Sequence, residues 1–348
     1  MSLKAAAKRI LRNAAIRGGL EAVALSNAGA LWPSAAGRGV IFTLHHVRPA
    51  QTDAYQPNAL LSVTPQFLDQ AIEVSLQAGL VPVALEDLPD LLVDPDDSRR
   101  FVCFTLDDGY RNNAEHAAPV FRKHGVPYTI FICKGFVERS HSLWWETAEA
   151  LTRDKDALAF DFGNGSEALA MHDVAGKQAA FERISGFVQT VEENEAVARL
   201  DAAARENGIE PLSIVERLVM DHKELRDLAR DPLARFGAHT LTHVNLKRIE
   251  AERLRQEISG SIEAVESYVG RKPTSFAYPY GYATAVGERE FAAAAEAGLK
   301  IAVTTQPGVL SAANLERPTA FNRVSLNGLY QQKRYVRALI SGIPFKLM

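Results

Sequence analysis

Apolar runs of four to eight residues recur along the chain, each closed by polar turn residues. Residues 40–47 (VIFTLHHV), 80–85, 101–106 (FVCFTL), 128–133 (YTIFIC), 234–238, 275–278 and 300–304 read as buried strands. Helical spacing fills the gaps. Thr64 caps a helix with Pro65 at its first position, running to Ala78 and Gly79. Residues 112–124 form a helix stopped by Gly125, and further helices cover 250–269 and 287–297. Apolar strands alternating with helices predict an α/β fold with a mostly parallel sheet, either an open doubly wound sheet or a barrel. In both, a functional site lies at the carboxyl ends of the strands. Residues 153–232 break the alternation. They are helix-forming and carry 17 acids against 10 bases, which predicts a helical insertion or cap.

Composition narrows the class. With 348 residues, 47% hydrophobic and 23% charged, the chain can bury a large core, which excludes a disordered or disulfide-scaffold protein. A net charge of −3 argues against a general nucleic-acid binder. The charge is unevenly spread. Residues 1–20 hold five bases and no acid, residues 317–348 hold six bases and no acid, and 28 bases face 42 acids between them. The ends thus read as a basic helical extension over 1–37 and a basic tail over 327–348. In the extension, Ile10, Leu11, Ile16, Leu20 and Val23 line one helix face, either packed on the main domain or drawn to an anionic membrane surface. Arg12, Arg17 and Glu21 interrupt any signal-peptide core, and no run of about twenty apolar residues exists. A cytoplasmic protein is expected, with peripheral contact at the inner membrane face suggested by the basic ends. Cys103 and Cys133 lie in strand-like runs and read as buried free thiols.

Three strand ends carry candidate chemistry. Asp107 and Asp108 close the 101–106 run and are followed by Gly109. Side chains alternate across a strand, so the two carboxylates can take different tasks as the strand turns, although Asp-Asp-Gly is also an ordinary turn. His239 and His243 follow the 234–238 run, and at this i, i+4 spacing two imidazoles reach one side of a helical turn. The segment Phe276-Ala277-Tyr278-Pro279-Tyr280-Gly281 can aim a backbone N–H into a site. Each signal alone is ambiguous. Together they supply two imidazoles, a carboxylate and a spare carboxylate, the donor set of a catalytic metal centre with open positions. The spare carboxylate suits a base that activates water. Trp144 and Trp145 offer flat faces for sugar rings or fill a core against the insertion.

In this order the segments resemble the motifs of the polysaccharide deacetylase family, also known as the NodB homology domain or carbohydrate esterase family 4. TLDDG (105–109) is similar to its first motif, HTLTH (239–243) to its second and FAYPYG (276–281) to its third. The resemblance covers roughly residues 38–150 and 233–326. It implies a distorted (β/α) barrel over 38–326 carrying the insertion, and hydrolysis of the N-acetyl group of an amino sugar in a polysaccharide, oligosaccharide or glycolipid precursor. It implies that Asp107 is the general base and that Asp108, His239 and His243 hold a divalent metal ion, usually zinc. The Tyr280 N–H would stabilise the oxyanion, and Tyr110 and Pro279 would join Trp144 and Trp145 in binding substrate. Two positions depart from the family. Ala277 stands where many members have an arginine that orients the base, and no histidine follows His243. Arg323 is the candidate replacement cation for Asp107. The stretch Leu44-His45-His46-Val47 resembles an early Tyr-His-x-Val of one branch, which makes His45 the candidate for the acid or for a site-wall role, with His46 as rival. Two other readings stay open. One is deformylation or deacetylation of a lipid-linked amino sugar at the membrane face. The other is a non-catalytic carbohydrate-binding homologue, although a pure binder needs no base beside a metal.

Overall fold

Predominantly apolar strands are buried on both faces, and the chain builds its sheet from them. The structure, a computed structural model, describes residues 3–26, 28–94 and 96–346. Eight strands form the main sheet: β1 (Gly39–Leu44), β2 (Leu80–Pro82), β3 (Arg100–Leu106), β4 (Tyr128–Ile132), β5 (Ala234–Ala238), β6 (Ser275–Ala277), β7 (Ile301–Val303) and β8 (Val324–Ser325). All pair in parallel, in the order β7-β6-β5-β4-β3-β1-β8, with β2 on the first half of β3. Just before β8, Phe321 accepts from the Thr304 N–H and donates to the Ala302 carbonyl. This draws the two sheet edges together, so the sheet curls into the distorted barrel that the motifs imply.

Alternation along the strands divides the core. Ile41, Cys103, Phe131, Ala277, Val303 and Phe321 pack on one side. Phe42, Phe104, Leu106 and Ile130 pack on the other, with helices α2 (Pro65–Gln77) and α3 (Ala118–His124). Thr64 caps α2 as expected, its hydroxyl accepting from the Phe67 N–H at 3.1 Å. Both cysteines are buried free thiols. The β1–β3 register pairs Leu44 with Leu106, so His45 and Asp107 leave the sheet at one level.

Several boundaries differ from the expectation. The 40–47 strand breaks at His45. Residues His46–Val47 pair instead with Ser62–Val63, in a separate two-stranded ladder. Before α3, residues Asn113–Ala117 form a single wide π-type turn. The 153–232 insertion is not all helical. It opens with an antiparallel hairpin, Ala157–Asp161 with Ser166–Ala170, where alternating burial on Ala157–Asp161 marks a one-sided strand. Around it lie α4 (Trp144–Arg153), α5 (Val174–Thr190), α6 (Glu193–Glu206), α7 (Pro211–Leu218) and α8 (His222–Leu228). Helices α9 (Ala251–Val269) and α10 (Glu288–Glu296) follow β5 and β6.

The two ends also differ. The N-terminal helix (Leu3–Leu25) buries only Leu20 and Val23 of its expected face, while Leu11 is 69% and Ile16 44% exposed. The Ile10 side chain lies outside the described residues. The basic tail is folded: α11 (Lys333–Ile340) packs Tyr335 and Ala338 against Leu20 and Val23. Its apolar residues share one face while Lys333, Arg334 and Arg337 stay outside, so charge count alone misread it. Among the described residues, no helix is long and apolar enough to cross a membrane.

Candidate active site

Five strand ends converge on one buried polar cluster. Asp107 and Asp108 follow β3, His239 and His243 follow β5, Tyr280 follows β6, His45 follows β1 and Arg323 precedes β8. Burying charges is costly unless they are paired, and the pairing is complete for Asp107. The Arg323 guanidinium, 1% exposed, donates to Asp107 Oδ1 at 2.7 Å and Oδ2 at 2.8 Å. It also donates to the Thr304 carbonyl at 2.8 Å and Thr105 Oγ1 at 3.1 Å, which fixes its plane. Burial alone raises the Asp107 pKa, but the charge and hydrogen bonds of Arg323 outweigh it and hold the carboxyl below its ordinary value. Ala277 contributes its backbone instead of a side chain. Its carbonyl accepts from His239 Nδ1 at 2.6 Å, leaving Nε2 to face Asp108.

Asp108, His239 and His243 form the second group. Their nearest ligand atoms lie within 4.8 Å of one another. Asp108 Oδ1 stands 3.5 Å from His239 Nε2 and 3.4 Å from His243 Nε2, too long for good hydrogen bonds, and is otherwise without a partner. Donor atoms about 2.0–2.2 Å from a common ion at tetrahedral angles sit about 3.3–3.5 Å apart, so the cluster fits a divalent cation. Burial opposes the charged form of Asp108, but the two imidazoles hold its carboxyl well below the ordinary range. Burial likewise lowers the His239 pKa, and the neighbouring carboxylates reverse this to a net rise.

The two histidines are not on a helical turn. Residues 239–243 form a loop in which Thr240 (φ 66°) and His243 (φ 57°) are left-handed, and the His243 N–H donates to Thr240 Oγ1. The curl sets the rings edge to face, 5.0 Å apart. Glu257 on α9 pins the loop, accepting from the Leu241 and Thr242 N–H groups and the Thr242 hydroxyl at 2.6–3.0 Å. A Cβ on Gly237 would meet the Phe131 ring at 2.4 Å, so only glycine brings β5 this close behind His239. Asp108 (φ 71°) and Tyr280 (φ 63°) are also left-handed. Four of the five left-handed non-glycine residues among those described thus belong to this site, where strain of roughly 1–3 kcal/mol each is tolerated for geometry.

His45 and His46 separate cleanly. His45 Nε2 lies 4.0 Å from Asp107 Oδ2, and its side chain is 24% exposed, more open than Asp107, Asp108, His239, His243 or Arg323. Burial lowers its pKa against the pull of Asp107 and Asp108. His46 turns away. Its Nδ1 accepts from Asn112 at 2.7 Å, its Nε2 faces Glu146 at 3.2 Å, and its ring lies 3.6 Å from that of Tyr110. Asn112 also accepts from the Val47 N–H, and Asn113 donates to the His45 carbonyl, so the π-type turn fixes the backbone at 45–47.

Tyr110 and Pro279, expected to contact substrate, are buried. Tyr110 packs on His46 and accepts from Trp145 Nε1 at 2.9 Å, so it braces the wall instead of forming it. Trp144 and Trp145 are mostly buried in the insertion core, but they border a cavity of about 230 Å³ beside His243. Trp144 Nε1 donates to the Tyr280 hydroxyl, which donates to Glu193 on α6 at 2.5 Å, closing the insertion over His243. Among the described residues nothing accepts the Tyr280 N–H. Glu193, Glu257 and the Asn112–Asn113 pair escaped sequence reasoning. Only the capping-style spacing of such residues before and within helices marks them, and it does not say where they point.

Comparisons with known proteins agree with this arrangement. The family model described as polysaccharide deacetylase matches residues 94–166 and 188–302, more than half of the chain. It reaches into the insertion, beyond the extent that the motifs suggested, and leaves out β1 and Arg323. No curated protein sequence matches the chain. Among solved structures, the Streptococcus pyogenes deacetylase PplD, in complex with acetate, is 16% identical, covering 83% of this chain and 93% of that one with a TM-score of 0.54. A Bacillus cereus polysaccharide deacetylase is 14% identical over 86% of this chain and 68% of that one, also at 0.54. A de-N-acetylase from Aggregatibacter actinomycetemcomitans is 12% identical over 82% and 93%, at 0.50. At these identities the likeness is one of fold.

Proposed function

The chain belongs to the polysaccharide deacetylase family, whose members are hydrolases of N-acetyl amide bonds, and on that footing we propose that it removes the acetyl group from an amino-sugar residue of a glycan or glycolipid. Asp108, His239 and His243 would hold a divalent cation, and their two imidazoles and one carboxylate are a donor set of catalytic zinc. Bound there, such an ion supplies Lewis-acid polarisation of the amide carbonyl and a lowered pKa for the attacking water. The observation that carries the reading is the Arg323–Asp107 pair set directly beside this cluster.

In this reading Asp107, kept ionised by Arg323, takes the proton of the attacking water. The Tyr280 N–H donates to the oxygen on which negative charge develops. Collapse requires a proton on the leaving nitrogen. His45 is held toward its neutral form, so it is no ready acid. Asp107 returns the proton it took, directly or through His45 at 4.0 Å. One water is consumed, its oxygen joining the acetyl carbon to give acetate and its hydrogen the nitrogen to give the free amine. The test is acetate release from N-acetylglucosamine oligomers. Asp107→Asn should lose about 10²–10⁴-fold activity with unchanged circular dichroism, and chelation should abolish activity until zinc is returned. Near-full activity of Asp107→Asn would sink the base assignment. Sugar binding without any acetate release would leave a carbohydrate-binding homologue.

A further inference from the structure

A second cavity, of about 550 Å³, lies away from the catalytic cluster, between the N-terminal helix, α11 and the β8 edge of the barrel. Its walls are hydrocarbon: Ile16, Leu20, Val23, Leu326, Leu339 and Phe345. Apolar clefts of this volume are ligand-sized, and nothing in the hydrolytic site uses this one. Its surroundings say what covers it. Of the ten exposed large hydrophobic residues among those described, five lie in the adjoining stretch: Leu11, Ile16, Leu25, Leu31 and Trp32. Cations flank the opening. Arg12 and Arg17 are exposed, and both act electrostatically on Tyr330, which lines the cavity and donates to the Asn13 carbonyl. Arg337 and Lys346 are exposed and follow the lining residues Val336 and Phe345. The helix has one acid, Glu21, and Arg334 and Tyr335 already engage it. An apolar cleft with exposed leucine, isoleucine and tryptophan beside exposed cations is the complement of an anionic amphiphile.

We propose that this face docks on an anionic bilayer and that the cavity takes one hydrocarbon chain of a membrane lipid. The position has a consequence for catalysis. Val324, Ser325 and Leu326 line the cavity and directly follow Arg323, which holds Asp107. A sugar carried on a membrane lipid would meet the catalytic rim from this side. That consequence rests on the hydrolase reading, whereas the lipid site does not.

The test uses the full chain. In sedimentation with phosphatidylcholine vesicles containing about one-third phosphatidylglycerol, the protein should pellet at about 50 mM salt and stay in solution at about 500 mM or with phosphatidylcholine alone. Replacing both Arg12 and Arg17 by alanine should weaken partitioning roughly 30-fold. Chain occupancy is read separately, by fluorescence titration with cis-parinaric acid. Gly19 and Ala15 both line the cavity, and a Cβ on Gly19 meets no atom within 4 Å, so Gly19→Leu and Ala15→Trp each place side-chain volume in it. Variants that keep the wild-type thermal midpoint should bind the probe at least about tenfold more weakly. No sedimentation at low salt, or wild-type probe binding by both cavity variants, would overturn the proposal. Both readouts are independent of acetate release, so an inactive enzyme that binds vesicles and probe refutes only the hydrolase reading.

Discussion

Replacing Arg323 by methionine tests the central pair most directly. The substitution keeps the length of the side chain but leaves Asp107, 2% exposed, as an unpaired buried carboxylate. Breaking a buried pair from one side costs about 3–5 kcal/mol. The Thr304 carbonyl loses its Arg323 donor, adding about 1 kcal/mol, whereas Thr105 Oγ1 keeps its bond to the Phe42 carbonyl. The sum, roughly 4–6 kcal/mol, is a large share of the 5–15 kcal/mol typical of a folded domain. Adding Asp107→Asn removes the orphaned charge, so the double variant should regain roughly 2–4 kcal/mol. Arg323→Lys should fall between, because one ammonium cannot serve both Asp107 oxygens and the Thr304 carbonyl. The assay is urea unfolding of chelator-treated protein, followed by circular dichroism and tryptophan fluorescence together, so that metal binding does not shift the baseline. A loss under about 1 kcal/mol for Arg323→Met, or additive losses in the double variant, would refute the pairing argument.

Three further outcomes are expected. Asp201, on α6, is pushed by burial up to about 6 from an ordinary 3.8, so the folded state holds a proton that the unfolded chain releases. The Asp201 contribution to stability should therefore fall by roughly 1–3 kcal/mol as pH rises from about 4 to about 7, read as the difference between wild type and Asp201→Asn in unfolding measured at both ends. Gly237→Ala drives a methyl into the Phe131 ring and Ser275 Oγ, and should cost roughly 1–3 kcal/mol in denaturant unfolding. Glu257→Ala frees the loop between the two histidines, and zinc affinity by competition titration should drop roughly 10–100-fold with the fold retained.

The parts of the molecule read from sequence are those governed by burial. Phe101 to Leu106 and Tyr128 to Ile132 are apolar but for Thr105 and Thr129 because the parallel sheet covers both faces, so their ends, and the aspartates at one of them, could be located. Arg323 could be nominated because a buried carboxylate needs a cation and the expected position held Ala277. Local geometry was less accessible. The i, i+4 spacing of His239 and His243 is equally a helix or a curled loop, and the left-handed Thr240 that decides it is a conformation any sequence rule disfavours. The roles of Glu193 and Glu257 depend on tertiary placement, because a glutamate at a helix start usually only caps it and one two turns in usually only faces solvent. The N-terminal helix shows the opposite error. Its apolar positions were legible, but their spacing could not tell residues packed on α11 from those left facing outward.

Asp107 and Arg323 are 216 residues apart in sequence, and their pairing has a temporal side. At roughly 5–20 residues per second, a ribosome that has made the first carboxylate needs about 10–40 s to reach its counter-ion. Through that interval β4 to β7 join the strands already made, but the last strand of the barrel and its guanidinium cannot be present. On the proposed mechanism, the nascent chain therefore holds Asp107 without its partner cation until residue 323 has been added. Premature termination anywhere before residue 323 yields a product that lacks both the last strand of the barrel and the cation paired with Asp107.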